Sequence, residues 1–269
     1  METVLIFAGL LLLGVVVGFL AGLLGIGGGL LTVPFITMLL TQHATSGEQI
    51  VHMAVATSAS TIVFTSLSSI RAHHAHNAVL WPVCLRVVPG LLLGGFLGAQ
   101  IASLLPKAPL ALFFALFTAV SATQMLLGKT PKATRELPGS LGLASVGTGI
   151  GTISGLIGAG GGFLSVPYLI WNNVPIRNAV ATSAAMSFPI AAASTIGFII
   201  AGWNAPDLPS YSFGYIYVPA LVAIAATSMI FAPIGARAAH RWPVAIIRRF
   251  FAFLLYALSL YMVRKAFFS

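Results

Sequence analysis

The sequence predicts an all-α polytopic membrane protein built of two inverted repeats, each a glycine-broken helix pair followed by three helices. Three observations lead there. Of 269 residues, 58% are apolar and only 6% charged, against roughly a quarter charged in a soluble domain, so a globule in water could not cover its surface. Uninterrupted apolar runs such as Val4 to Gly25, Val79 to Leu105 and Phe250 to Val263 match the roughly 20 residues that cross a hydrocarbon core. Finally, Gly18 to Ile36 (GFLAGLLGIGGGLLTVPFI) and Gly151 to Leu169 (GTISGLIGAGGGFLSVPYL) agree at ten of nineteen positions at an offset of 133, which is an internal duplication.

Five apolar elements are expected in each half. In the first they lie near residues 4–24, 30–41, 51–71, 79–105 and 108–127, and in the second near 141–157, 163–172, 176–201, 213–237 and 244–263. The first element carries the ladder Gly14, Gly18, Gly22, copied as Gly147, Gly151, Gly155, whose four-residue spacing suits close helix packing. The second follows a polyglycine run and is short: 12 residues of helix rise about 18 Å against a core of roughly 30 Å. Its glycine end is therefore expected inside the membrane, where a helix break is tolerated only facing protein or a water-filled cavity. The third carries AVATSA in both halves, from Ala54 and from Ala179. The fourth and fifth follow from Pro82 with Pro219, Gly98-Ala99 with Gly235-Ala236, Pro106 with Pro243 and Phe113-Phe114 with Phe250-Phe251, all at an offset of 137. Pro34, Pro89, Pro167 and Pro189 fall within apolar segments and are expected to kink helices. Both ten spans and fewer spans with re-entrant hairpins fit this pattern.

Gly128 to Gly139 (GKTPKATRELPG) is the most polar stretch, which divides the chain into a first transmembrane repeat (1–127), a linker (128–140) and a second repeat (141–269). Thirteen Lys and Arg against four Asp and Glu give a net charge of +9. These charges sit in short loops, so they orient the chain rather than bind nucleic acid. With an odd number of crossings per half, the linker and the loops at Arg71, Arg177 and Arg237 to Arg241 share one side, while Lys107, Arg264, Lys265, Glu48 and Asp207 lie on the other. The positive-inside rule favours this inverted arrangement and places the linker in the cytoplasm of a multi-pass cell inner membrane protein. Glu2 stands where a secretory signal would carry a base, so no cleaved leader is expected. The single cysteine, Cys84, excludes intramolecular disulfides and is expected to be a packed thiol.

Several residues stand out as candidates to bind substrate. Gly25, Gly27, Gly28 and Gly29, with Gly158, Gly160, Gly161 and Gly162, interrupt strong helices and leave the first N–H groups of the next element unpaired, which with the helix dipole makes an anion site. Paired, glycine-interrupted segments in two halves are also the sequence pointer to a transporter's binding site. Thr57, Ser58, Thr182 and Ser183 offer hydroxyls near the expected midplane, although Ser and Thr equally bond their own helix backbone. Arg86 lies inside an apolar run and is either a site cation or a snorkelling base, and Arg71 ends its helix as a weaker candidate. His73, His74 and His76 are expected in an interfacial loop and to hold no metal, because no carboxylate or thiol accompanies them. No nucleophile with a base, paired carboxylates or phosphate loop occurs, so neither an enzyme nor a cofactor is expected. No Asp or Glu lies deep in an apolar segment, where proton-coupled carriers need one.

The two copies of G-x-x-x-G-L-[LI]-G-x-G-G-G-x-L-[TS]-V-P, each followed by AVATSA, together with TSLSSIRAHH at Thr65 to His74, resemble the TauE/SafE sulfite exporter family over almost the whole chain. The resemblance implies a transporter of sulfite, sulfonates or related small organic anions, commonly outward, with the glycine loops and Thr-Ser pairs at its site. An anion channel, an importer, an intramembrane enzyme and an assembly protein are the alternatives. Its partners are then the lipid bilayer and a small sulfur-containing or organic anion.

Overall fold

The computed structural model describes residues 2–24, 28–43, 47–127, 135–238 and 244–267, with side chains placed except at 2–6, 24, 42–43 and 244–248. Among them stand ten helices: α1 (Glu2–Leu24), α2 (Gly29–His43), α3 (Ile50–Ala75), α4 (Trp81–Leu104), α5 (Lys107–Leu127), α6 (Ser140–Ile157), α7 (Gly162–Trp171), α8 (Ile176–Gly202), α9 (Val218–Ala238) and α10 (Val244–Phe267). Seven of these, α3 to α6 and α8 to α10, contain stretches long and apolar enough to cross a membrane, and Phe7–Leu23, Gly29–Thr41 and Gly162–Trp171 are shorter apolar helices. The protein is an all-α polytopic membrane protein.

Two expectations need correction. Residues 213–217 are not helical: β1 (Ser212–Phe213) pairs antiparallel with β2 (Ile216–Tyr217) ahead of α9. The apolar side chains here serve burial, since Tyr215 and Ile216 pack into the core and the Tyr215 amide bonds the Phe198 carbonyl of α8. The histidines also differ, because α3 continues to Ala75 and puts His73 and His74 in its last turn rather than in a loop. His73 is buried and His74 accepts the Trp81 indole N–H at 3.1 Å.

The duplicated stretches interleave. The most extensive helix contacts are α1 with α9 and α4 with α6, so the first helix of each half packs on the fourth helix of the other. The glycine ladders make both contacts, as small residues must where apolar lipid removes the hydrophobic drive for association. A Cβ on Gly18 would stand 2.5 Å from the Ser228 carbonyl oxygen, and Gly14 and Gly22 back onto Ile224 and Ala232. In the mirrored contact Gly147 and Gly155 would meet the Val87 and Gly95 carbonyls, each at 2.6 Å. Partner numbers rise together along each pair, so α1 runs parallel to α9 and α4 parallel to α6.

Two other pairs give the remaining directions. Thr57 bonds Tyr217 and Thr65 bonds Ser228, so α3 runs parallel to α9; Leu80 bonds Thr182 and Gly95 bonds Ser194, so α4 runs parallel to α8. Only Asn77 and its neighbours separate α3 from α4, which turns the chain back on itself. On the fifth helices, Ala115 meets Ser259 and Thr123 meets Tyr256, an antiparallel pairing.

The glycine-broken pair α6–α7 is a hairpin. Just before α6, the Arg135 amide bonds the Trp171 carbonyl at the end of α7, and the Arg135 guanidinium lies 4.2 Å from the Trp171 ring centre. Both outer ends of the hairpin therefore lie together, and the break at Gly158–Gly161 lies at its tip. At the centre of the molecule α3 and α8 carry buried Thr57, Ser58, Thr61, Thr182, Ser183 and Ser187.

Candidate functional site

Each glycine run lies between two helices, α1 and α2 in the first half and α6 and α7 in the second, where the chain reverses. Gly28 and Gly161, equivalent by the offset of 133, adopt left-handed φ values of 74° and 76° immediately before α2 and α7. That region is open to glycine and strained for a side chain, most of all a β-branched one. The turn is braced alike in both copies: Thr32 Oγ1 donates to the Gly28 carbonyl at 3.2 Å and Ser165 Oγ to the Gly161 carbonyl at 3.0 Å. Gly25 and Gly27 lie outside the described residues.

The two breaks touch. A Cβ on Gly29 would collide with the Gly158 carbonyl oxygen and stand 2.8 Å from the Ala159 Cα. Gly158 in turn rests against α3, where an added Cβ would meet the Val55 carbonyl at 2.5 Å. The start of α2 consequently rests on the buried turn that leads from α6 into α7. The starts of α2 and α7 each leave backbone N–H groups without an intrahelical acceptor and present the positive end of a helix dipole.

Hydroxyls of the central helices hold this turn in place. Ser58 Oγ donates to the Gly158 carbonyl at 2.8 Å, Ser187 Oγ donates to the Gly160 carbonyl, and Ser183 shares a 2.6 Å hydrogen bond with Ser165 of α7. Gly160, Gly161 and Gly162 are buried with them. Gly28, Gly29, Gly158, Gly160, Gly161, Gly162, Ser58 and Ser183 thus form one cluster, as the duplicated motif leads one to expect. Ser187 was not among the expected residues, and its place one turn after Ser183 is the sequence signal that points to it.

Thr57 and Thr182 occupy equivalent places beside this cluster and have defined partners. Thr57 Oγ1 accepts the Tyr217 amide at 2.9 Å, and Thr182 Oγ1 accepts the Leu80 amide at 3.0 Å. Tyr217 and Leu80 are the residues just before α9 and α4. Each hydroxyl thus satisfies a donor at the start of a helix from the other half, and keeps its own proton to donate. On the α9 side the strand pair adds an anchor, with Tyr215 stacked on His52 at 5.5 Å and burial pushing its phenol above the usual range.

The two candidate arginines do not join the cluster. Arg86 is exposed on the outer face of α4, in its second turn, the position of a base that reaches the interface. Arg71 is exposed near the end of α3 and lines a separate cleft with Arg237. Cys84 is buried, as expected of a packed thiol.

Comparison with known proteins agrees with this architecture. The family model of the sulfite exporter TauE/SafE matches residues 10–262. A probable membrane transporter protein of Haemophilus influenzae is 34% identical over 256 residues, covering 95% of this chain and 97% of the relative. A probable membrane transporter protein of Methanocaldococcus jannaschii is 26% identical over 268 residues, covering 97% of both chains. No solved structure gives a significant match. With the doubled glycine break at the centre of a multi-pass bundle and the match running through nearly its full length, the chain belongs to the TauE/SafE sulfite exporter family of membrane transporters.

Proposed function

We propose that the protein carries sulfite, a sulfonate or a related small oxyanion across the cell inner membrane by alternating access, with the anion held between the two glycine breaks. The observation that carries this reading is the contact of Gly29 with Gly158 and Ala159, which sets the start of α2 and its backbone donors against the turn that leads into α7. An oxyanion leaving water must exchange its hydration for donors already in place. Glycine backbone supplies them without burying a cation. The breaks now rest on each other, so an anion passes between them only when the halves move apart, which is the motion alternating access requires.

The halves are inverted relative to each other in this reading. Support comes from helix direction: α1, α3 and α9 run one way, α4, α6 and α8 the other, so α1 opposes its copy α6 and α3 opposes its copy α8. An anion leaving a cell with a negative interior gains about 2.3 kcal/mol per charge per 100 mV, so export needs no coupling ion.

Flux of sulfite from proteoliposomes tests the proposal. Efflux that saturates with sulfite and disappears in Gly161→Val is the expected result. Flux that rises linearly with concentration identifies a channel instead, and absence of flux for sulfite, taurine and sulfoacetate overturns the substrate class.

A further inference from the structure

The pseudo-symmetry of the molecule is broken at one place. Residues of α3 correspond to residues of α8 at an offset of 125, and residues of α4 to residues of α9 at 137. The paired contacts obey these offsets, since Thr57 with Tyr217 maps onto Thr182 with Leu80. Toward the far ends of the same helix pairs the correspondence fails.

Between α4 and α8 the far ends are shut. Gln100 Nε2 donates to the Gly197 carbonyl at 2.9 Å, and Ser194 Oγ donates to the Gly95 carbonyl at 3.0 Å. A Cβ on Gly197 would lie 2.7 Å from that of Ala99, so the helices are in backbone contact. The equivalents on α3 and α9 are Arg237 for Gln100, Ala72 for Gly197, Ser69 for Ser194 and Ala232 for Gly95. There Ser68 Oγ still ties α3 to α9 by donating to the Met229 carbonyl at 2.6 Å, and beyond that bond the helices part around a cleft of about 320 Å³ lined by Ser68, Arg71, Ala72, His76, Pro233 and Arg237. Ser69 Oγ, on a residue only 3% exposed, has no hydrogen-bond partner among the described residues. Its copy Ser194 shows which bond is missing.

The cleft's chemistry is that of an anion receptor. Its described lining carries two guanidiniums and no carboxylate. Its volume falls at the lower end of the about 300–1,000 Å³ typical of ligand sites. It opens at the C-terminal ends of α3 and α9, the side on which the linker enters α6, and Ser68 stands ten residues beyond Ser58, a helical rise of about 15 Å from the glycine breaks.

We infer that the Arg71–Arg237 cleft is the open mouth of the carrier, a vestibule that receives a small oxyanion from the linker side, and that Gln100–Gly197 is the same mouth shut on the opposite side. This rests on the reading of the protein as an alternating-access carrier. In the exchanged state Ser69 Oγ donates to the Ala232 carbonyl and Arg237 to the Ala72 carbonyl, while Ser194 and Gln100 release Gly95 and Gly197. The vestibule then vanishes and its counterpart opens.

The test uses the full-length protein in oriented membrane vesicles, with Cys84→Ala and Ala72→Cys, exposed on the linker side to a membrane-impermeant maleimide. Ala72→Cys labels readily, and adding Ser194→Ala or Gln100→Ala slows it, each moving the open-to-shut ratio about fivefold, as one hydrogen bond of typical net strength implies. Arg237→Ala in the Gln100→Ala background restores the rate by removing the closing bond. Labelling unaffected by both Ser194→Ala and Gln100→Ala overturns the paired gates. Methanesulfonate, compared with chloride at equal ionic strength, slows labelling, and Arg71→Gln abolishes that protection; no protection overturns the anion vestibule. Labelling needs no flux, so shifted labelling without sulfite transport rejects the substrate reading and leaves the gates standing.

Discussion

Thr57 accepts the backbone N–H of Tyr217 at 2.9 Å, tying the middle of the first half to the start of a helix in the second. Thr182 and Leu80 repeat the tie in reverse. Thr57→Ala or Thr182→Ala leaves a half-buried donor without its acceptor, and each is expected to cost about 1 kcal/mol or more. Thermal unfolding in detergent reads the loss, and Thr→Ser at either place restores it. Unchanged unfolding with weakened sulfite flux would assign the hydroxyls to the substrate rather than to the helix starts.

Gly28 and Gly161 hold left-handed backbone at φ values of 74° and 76°. Valine there combines that strain, of order 1–3 kcal/mol, with a steric conflict: an added Cβ at Gly161 stands 2.7 Å from Ile190 Cδ1. Gly28→Val and Gly161→Val are expected to reach the membrane and lose transport. Gly29→Ala is expected to do the same by pushing the Gly158 carbonyl away. Immunoblots of membranes beside proteoliposome flux check both halves of the statement, and normal flux in well-inserted variants moves the site elsewhere.

The glycine ladders carry a different expectation. At Gly18 and Gly151 an added Cβ meets backbone of the opposing helix at 2.5 and 2.8 Å, so Gly18→Leu and Gly151→Leu pry apart α1 from α9 and α4 from α6. Overpacking of this kind costs typically 1–3 kcal/mol, and more where backbone must shift. The yield of monodisperse protein on size exclusion is expected to fall before any effect on transport can be read.

Topology provides another check. In the Cys84→Ala background, cysteines at Glu136 and Phe267 are expected to label from opposite faces of the membrane, with Glu136 cytoplasmic. Labelling of both from one face excludes an odd number of crossings after the linker.

Hydropathy and the duplication made most helix ends readable, because each apolar run is bounded by proline, glycine or charge. The span expected near 176–201 is α8 at Ile176–Gly202, and that near 108–127 is α5 at Lys107–Leu127. The strand pair before α9 escaped notice for a physical reason: Tyr215 and Ile216 are apolar and buried in the core, with the Tyr215 amide on α8, and composition does not distinguish that burial from a span. The glycine cluster was legible because six of its members repeat at one offset. The partners of Thr57 and Thr182 were not, since a hydroxyl's acceptor role depends on an amide 160 or 102 positions away. The gate at Gln100 was hidden for the opposite reason, as its copy is Arg237 and only geometry reveals that the two occupy one place.

The exchange of first and fourth helices between halves has a consequence for biosynthesis. Gly18 finds its packing surface at Ser228, and at a ribosomal rate of about 5–20 residues per second that partner emerges roughly 10–40 seconds later. During this interval α1 is in the bilayer without the neighbour its small-residue face fits. Until α9 arrives, lipid or a membrane chaperone must cover that face. The contact α1–α9 therefore forms only when every helix but α10 has been made, and mutations along it are expected to show first as nascent chains lost to quality control.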